Sequence, residues 1–211
     1  TTENLPDYLI SYLGKETLEN ILVLRFENSI FEPMLNSQLL DHIQITAAED
    51  FGISKRGKFY DETGALKDVG QNHILQMLAI ATMEKPKDGS DNAIIRERLK
   101  LIKSLSARPT DIVYGQYAGG VVHGKDVIGY RDEEKVSKNS ATDTFFAIKL
   151  NINNSRFKKI PVYIRAGKQL AEWVTEISYV FKSKGSYQNV LTIRVQPNEG
   201  IAIKLFTKKP G

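Results

Sequence analysis

The stretch Gly64-Ala-Leu-Lys-Asp-Val-Gly-Gln-Asn-His-Ile-Leu-Gln76 organises the rest of the chain around it. Its apolar positions, running on as Leu66, Val69, Ile74, Met77, Ile80 and Ala81, follow helical spacing, so one stripe faces a core. Asp68, Gln71, Asn72 and His73 crowd the first two turns, where packing alone needs few polar side chains. Histidine is the natural proton acceptor near neutral pH, and the chain has only three. A carboxylate and amides beside it would suit a polyhydroxylated ligand. Read alone, the stretch is best taken as a plain helix with a satisfied histidine and an aspartate near its N-terminus, where the negative charge complements the helix dipole.

Upstream, residues 15–27 read as an amphipathic helix with Leu18, Ile21, Leu22 and Phe26 inward. Residues 40–46 alternate as a strand through Ile43 and Ile45. A glycine-containing loop is expected at 52–64, leading into the helix above. A further helix, about 91–106, carries Ile95, Leu99, Ile102 and Leu105 on one side and charge on the other. From residue 112 the character changes. Runs at 112–117, 142–152, 160–166, 174–182, 190–195 and 201–207 are rich in Ile, Val, Phe, Tyr and Thr, with Gly, Asn, Ser or Pro between them and a glycine-bearing loop at 118–132. Helices first and strands after predict an α+β fold: a largely antiparallel β-sheet with the helices packed on one face. Ile177, Tyr179 and Phe181 should turn to the same side of it.

At 211 residues the chain can bury one substantial core. It shows no repeat or linker, so we read 1–211 as a single domain, mainly helical over 12–110 and sheet over 111–211. A hydrophobic content of 41% with 26% charged residues is that of a globular domain. No apolar run reaches membrane-spanning length and no signal-peptide pattern opens the chain. The absence of cysteine excludes disulfides and thiolate metal sites and fits a reducing, cytoplasmic setting. A net charge of +4, with lysines scattered among acids, suits a phosphorylated small molecule; a nucleic-acid face would need a denser one-sided stripe. No Gly-x-Gly-x-x-Gly occurs, and Gly115 to Gly124 has the wrong spacing to seat a dinucleotide pyrophosphate.

Four blocks in order carry a family resemblance: Tyr12-Leu-Gly-Lys-Glu16, Asp68–His73 with Leu75-Gln76, Ile164-Arg-Ala-Gly-Lys168, and Ile193-Arg-Val-Gln-Pro-Asn-Glu199. Arg25-Phe-Glu-Asn-Ser-Ile-Phe-Glu-Pro33 and Met83-Glu-Lys-Pro86 fall between them. The chain from about Tyr12 to Gly211 resembles glucose-6-phosphate dehydrogenase, whose helix reads "RDVMQNHLLQ". The resemblance implies oxidation of glucose 6-phosphate to 6-phosphogluconolactone with NADP, in a homodimer or larger homo-oligomer. In that family the NADP-binding Rossmann domain precedes this segment, so the resemblance implies a substrate and dimerisation domain that is inactive without a companion dinucleotide domain. It assigns His73 as the base, Asp68 and Glu49 to sugar hydroxyls, and Tyr12, Lys15 and Lys168 to the substrate or its phosphate, with Gln196 alongside. Arg165 and Lys204 match positions that hold a second, structural NADP in some members; we read both as structural. His42 and His123 receive no role, and no metal is expected.

The departures are informative. The family's Arg-Ile-Asp-His-Tyr-Leu-Gly-Lys-Glu reads here Tyr8-Leu-Ile-Ser-Tyr-Leu-Gly-Lys-Glu16. The aspartate that orients the catalytic histidine falls on Ile10, and the phosphate-binding histidine on Ser11. A base without its carboxylate loses tautomer control and stabilisation of its imidazolium. Downstream, a basic residue of the family falls on Trp173. Either the chain has diverged toward a non-catalytic sugar-phosphate-binding or subunit-interaction module, or residues 1–11 are a lead-in foreign to the family. The abrupt end of the match at Tyr12 favours the second.

Overall fold

A computed structural model describes residues 15–208, without the side chains of residues 15–18 and 72. The longer helical stretches are α1 (Lys15–Glu27), α2 (Gly57–Ala65), a π-helical segment (Leu66–Ile74), α3 (Leu75–Thr82) and α4 (Asp91–Ser104), with short 3-10 turns besides. The strands are β1 (Leu40–Ala48), β2 (Leu105–Ser106), β3 (Ile112–Gly115), β4 (Gly120–Val122), β5 (Lys125–Val127), β6 (Phe145–Ile152), β7 (Pro161–Gly167), β8 (Val174–Phe181), β9 (Val190–Gln196) and β10 (Gly200–Lys204). One sheet has the order β10-β9-β8-β1-β7-β6-β2, with β3 also on β6; β4 and β5 form a separate hairpin.

The α+β expectation holds, and the expected strand runs coincide with β3 and β6–β10. The strand-rich half does not build the sheet alone, however. β1, from the first half, lies at its centre, antiparallel to β8 but parallel to β7. The composition of β1 suits that place: Ile43 and Ile45 are buried with Gln44 exposed between them, and from Ile45 to Ala48 every residue is buried. Ile177 and Tyr179 lie on the same core face and are fully buried, with Phe181 packed at its edge. Helices cover this face; the Tyr179 hydroxyl donates to the carbonyl of Ala81 at the end of α3 (2.8 Å).

α1 buries Ile21 and Leu24 as an apolar stripe should, and also the whole of Arg25. The Arg25 guanidinium donates to the carbonyls of Ile80 (2.6 Å) and Met83 (2.7 Å), the open end of α3, and pairs with Glu32. Carbonyls at a helix C-terminus lack intrahelical donors, and a cation suits the dipole there. Leu18 lies outside the described side chains.

Two expectations are corrected. The segment 52–64 is not a loop: a 3-10 turn (Ser54–Arg56) leads directly into α2, and only Gly64, at φ +73°, breaks the helix. On α4 the inward residues are Ala93 and Leu101, whereas Ile95, Leu99 and Ile102 are 48%, 51% and 39% exposed. The helix docks through a stripe displaced by one residue, about 100° around its axis, with Ile94 packed on the core beside Ala93 and Leu101.

Candidate functional site

The helix bearing Asp68 and His73 restarts after the kink at Gly64. The chain there adopts a left-handed conformation, and a Cβ at Gly64 would lie 2.6 Å from the Asp143 carboxylate. That proximity has a purpose. Asp143 accepts from Ala65 N through its carbonyl (2.9 Å) and from Leu66 N through its carboxylate (2.9 Å), capping the first free N–H groups of the new helix.

The segment 66–74 then winds as a π-helix, with Leu75 N–H bonding to Gly70 C=O, five residues back. In an α-helix, residues five apart would point about 140° away from each other. The wider winding, with its five-residue repeat, brings Asp68 and His73 onto one wall of a single cavity. Gly70 makes room for it: a Cβ there would lie 2.8 Å from the Phe146 ring of β6.

The opposite wall comes from the sheet. β1 and β7 are parallel, with Ala48 beside Gly167. The next residue on each, Glu49 and Lys168, therefore leaves the sheet at the same edge. They form a hydrogen-bonded ion pair 119 positions apart in sequence, with Lys168 only 5% exposed. The Lys168 ammonium also lies 5.1 Å from the Phe51 ring and 5.7 Å from the Tyr60 ring. Ala47, Glu49, Arg56, Tyr60, Ala65, Asp68, Val69, His73, Gly167 and Lys168 enclose a cavity of about 30 Å³.

Four expected residues thus converge: Glu49, Asp68, His73 and Lys168. Burial lowers the His73 pKa below its ordinary 6.5, with Asp68 and Glu49 pulling weakly the other way. The imidazole is accordingly neutral near pH 7, as a general base must be. Once protonated, it would face two carboxylates. Gln196 is not part of the cavity wall: it pairs with Thr175, which pairs with Ala47 of that wall, so it lies about 10 Å along the sheet. Its Oε1 is buried without a hydrogen-bond partner. Tyr12, Ile10, Ser11 and the Lys15 side chain lie outside the described residues.

Arg165 is not in the cavity. It occupies the open face of the sheet, its Nε on Thr46 Oγ1 (3.0 Å), four strands away from Lys204 on the edge strand β10. His42 also lies on that face, between Asp41 (2.6 Å) and Gln44 (2.8 Å). His123, on the β4–β5 turn, contacts Asp50 (3.0 Å). Trp173 stands edge-on to Phe51, whose ring also neighbours Lys168.

The sequence reading missed Arg56, Tyr60, Phe51 and Asp143. Arg56 reaches the Asp68 carboxylate at 3.4 Å. Arg56 and Tyr60 fall in the segment taken for a loop; the aromatic pair Phe59-Tyr60 amid charged residues was the available signal.

A family model described as "Glucose-6-phosphate dehydrogenase, C-terminal domain" matches residues 22–211. Glucose-6-phosphate 1-dehydrogenase of Chlamydia muridarum is 44% identical, the alignment covering 95% of this chain and 42% of that protein. The Borreliella burgdorferi enzyme is also 44% identical, over 95% of this chain and 45% of its own length. Among solved structures, a glucose-6-phosphate dehydrogenase in complex with its substrate glucose-6-phosphate superposes with a TM-score of 0.87 at 38% identity, over 95% of this chain and 42% of that one. The Mycobacterium avium enzyme gives 0.86 at 31% identity, over 97% and 45%. The chain belongs to the glucose-6-phosphate dehydrogenase family, and spans somewhat under half the length of these relatives.

Proposed function

We propose that the cavity between the π-helical segment and the β1–β7 edge binds glucose 6-phosphate, and that this chain forms the sugar-phosphate half of an NADP-linked glucose-6-phosphate dehydrogenase. The carrying observation is the convergence of His73 and Asp68 from one helix with Glu49 and Lys168 from the ends of two parallel strands. Independent surface residues would scatter over different faces.

Oxidation at the anomeric carbon removes a proton from its hydroxyl and a hydride from the carbon. His73, neutral at pH 7, takes the proton at a ring nitrogen; Asp68 and Glu49 stabilise the resulting imidazolium. Parting of the Glu49–Lys168 pair frees a carboxylate to accept from sugar hydroxyls and an ammonium for the sugar or its phosphate. Gln196, with its orphaned Oε1, accepts from the ligand at the margin of the site. By the family pattern Tyr12 and Lys15 complete the phosphate end.

The described residues do not fit a dinucleotide. The one parallel strand pair has acidic Glu49 and Asp50 after β1, the wrong charge for a pyrophosphate, and Gly167-Lys168 leads to β8 and not to a helix. NADP is therefore assigned to a Rossmann domain outside these residues, and hydride transfer needs that domain. The open face of the sheet, with Tyr163, Arg165 and Arg194 outward, is the surface through which a homodimer would form. Among the described residues, no helix is long and apolar enough to cross a membrane.

Titration calorimetry of this chain with glucose 6-phosphate and with glucose tests the reading. Saturable binding of the phosphate ester, weakened by Lys168→Met, is expected. Indifference to the ligand, or equal binding of glucose, would overturn it.

A further inference from the structure

Among the described residues, the phenol of Tyr60 is a buried polar group of the cavity wall that lacks a hydrogen-bond partner. Tyr60 lies on α2, fully buried, its ring edge-on to Tyr130 with centroids 6.2 Å apart. The other buried or half-buried tyrosines of the core all donate their hydroxyls: Tyr130 to Asp61 (2.9 Å), Tyr117 to Glu133 (2.8 Å) and Tyr179 to the Ala81 carbonyl (2.8 Å). Tyr60 Oη is buried with no hydrogen-bond partner among the described residues. A buried hydroxyl left unpaired is penalised, so an orphan on the wall of a polar cavity asks for an explanation.

Its surroundings supply one. Tyr60 borders the cavity beside Glu49, Asp68 and His73. Both carboxylates already have cations, Lys168 on Glu49 and Arg56 on Asp68. Burial and these negative neighbours raise the phenol pKa well above its usual range, so the group remains O–H and can only gain by donating. The ring packs edge-on to Tyr130 and lies 5.7 Å from the Lys168 ammonium, both contacts made before any ligand arrives.

We propose that Tyr60 is a further substrate-binding residue, donating its phenol O–H to a ring hydroxyl of the sugar once the sugar enters between Lys168 and Asp68. The inference rests on the sugar-phosphate reading of this cavity and extends it to the choice among hydroxylated sugars. A neutral hydrogen bond of this kind is worth about 5- to 10-fold in affinity. A site that offers a buried donor also discriminates against ligands lacking the matching oxygen.

The test is Tyr60→Phe in this chain, read by calorimetric titration with glucose 6-phosphate and by the melting temperature without ligand. The unliganded melting temperature should hold or rise, since no bond within the protein is lost, while affinity falls about 5- to 10-fold. Among the 1-, 2-, 3- and 4-deoxy analogues of glucose 6-phosphate, one should bind the original chain and the variant equally, identifying the hydroxyl served. Equal affinity of both proteins for glucose 6-phosphate would overturn the role of Tyr60 alone. A variant weakened equally toward every analogue, or melting lower without ligand, would show a structural role and overturn it too. If the original chain fails to bind glucose 6-phosphate, the reading of the cavity falls, and Tyr60 with it.

Discussion

Leu66 donates its backbone N–H to the Asp143 carboxylate at 2.9 Å, across 77 positions of the chain, and the helix that carries Asp68 and His73 begins at that bond. Asp143 lies in the loop leading into β6, so the site's helix is anchored by the sheet half of the molecule. Gly64 makes the approach feasible, since any Cβ there would collide with the same carboxylate.

Removal of this cap should therefore act on both stability and binding. Asp143→Ala is expected to destabilise the fold by about 1–2 kcal/mol, the range for a lost helix N-cap. It should also weaken glucose 6-phosphate binding, because the first turn after the cap positions Asp68. Urea denaturation and calorimetry measure the two effects. A variant with an unchanged midpoint would show that the cap is redundant.

How much of this was legible beforehand follows from the range of each interaction. Alternation along Ile43, Ile45 and Ile177, Tyr179 is local, so strands and their buried faces could be read. The place of β1 at the centre of the sheet could not, because pairing with Pro161–Gly167 is set by the whole topology. Asp68 and His73 stood out within a cluster of polar residues at the start of a helix with an apolar stripe. Glu49 and Lys168 carry no local signal and came only from the family blocks; the parallel register that joins them is a tertiary fact. Arg56 and Tyr60 were lost because Gly57 and Gly64 read as loop punctuation, though only Gly64 has a positive φ. The π-winding left no trace in the apolar spacing, which fits a 3.6-residue period well enough.

His73 should titrate below its ordinary value of 6.5, since burial disfavours the imidazolium more than Asp68 and Glu49 favour it. The unfolded chain then binds this proton first as pH falls. The stability contributed by neutral His73 is fully present above about pH 6.5 and is lost as pH falls toward the folded-state value. A proton NMR titration of the imidazole gives the midpoint directly. The decline in stability between pH 7 and pH 5 should be shallower in His73→Gln, by at most about 1.4 kcal/mol per pH unit. A midpoint at or above 6.5 would mean that the carboxylates outweigh burial.

Arg25 joins α1 to the end of α3 from a fully buried position, so it should be among the least replaceable residues outside the cavity. Arg25→Met fills similar volume but leaves the Ile80 and Met83 carbonyls without this donor and deprives Glu32 of one of its two arginines. Leaving such groups buried and unpaired costs about 1–3 kcal/mol each, and denaturation should show a loss of at least about 2 kcal/mol. Arg25→Lys should recover only part, since one ammonium cannot span the three acceptors that a guanidinium fork reaches.

The Glu49–Lys168 pair is expected to separate stability from function. In the unliganded chain the two charges satisfy each other at a nearly dry edge of the sheet. Lys168→Met leaves the Glu49 carboxylate enclosed without its cation, and breaking a buried pair from one side costs up to about 3–5 kcal/mol. Glu49→Gln together with Lys168→Met removes both charges, and an apolar or neutral replacement of a buried pair is often close to neutral for stability. The double variant should thus be markedly more stable than Lys168→Met, giving a positive coupling energy in a double-mutant cycle measured by denaturation. Binding of glucose 6-phosphate should follow the opposite logic: the double variant, having lost both the ammonium and the carboxylate that the ligand would engage, should bind no better than either single variant. A stable double variant that still binds glucose 6-phosphate as the original chain does would place the ligand's contacts elsewhere and make this pair a purely structural clasp.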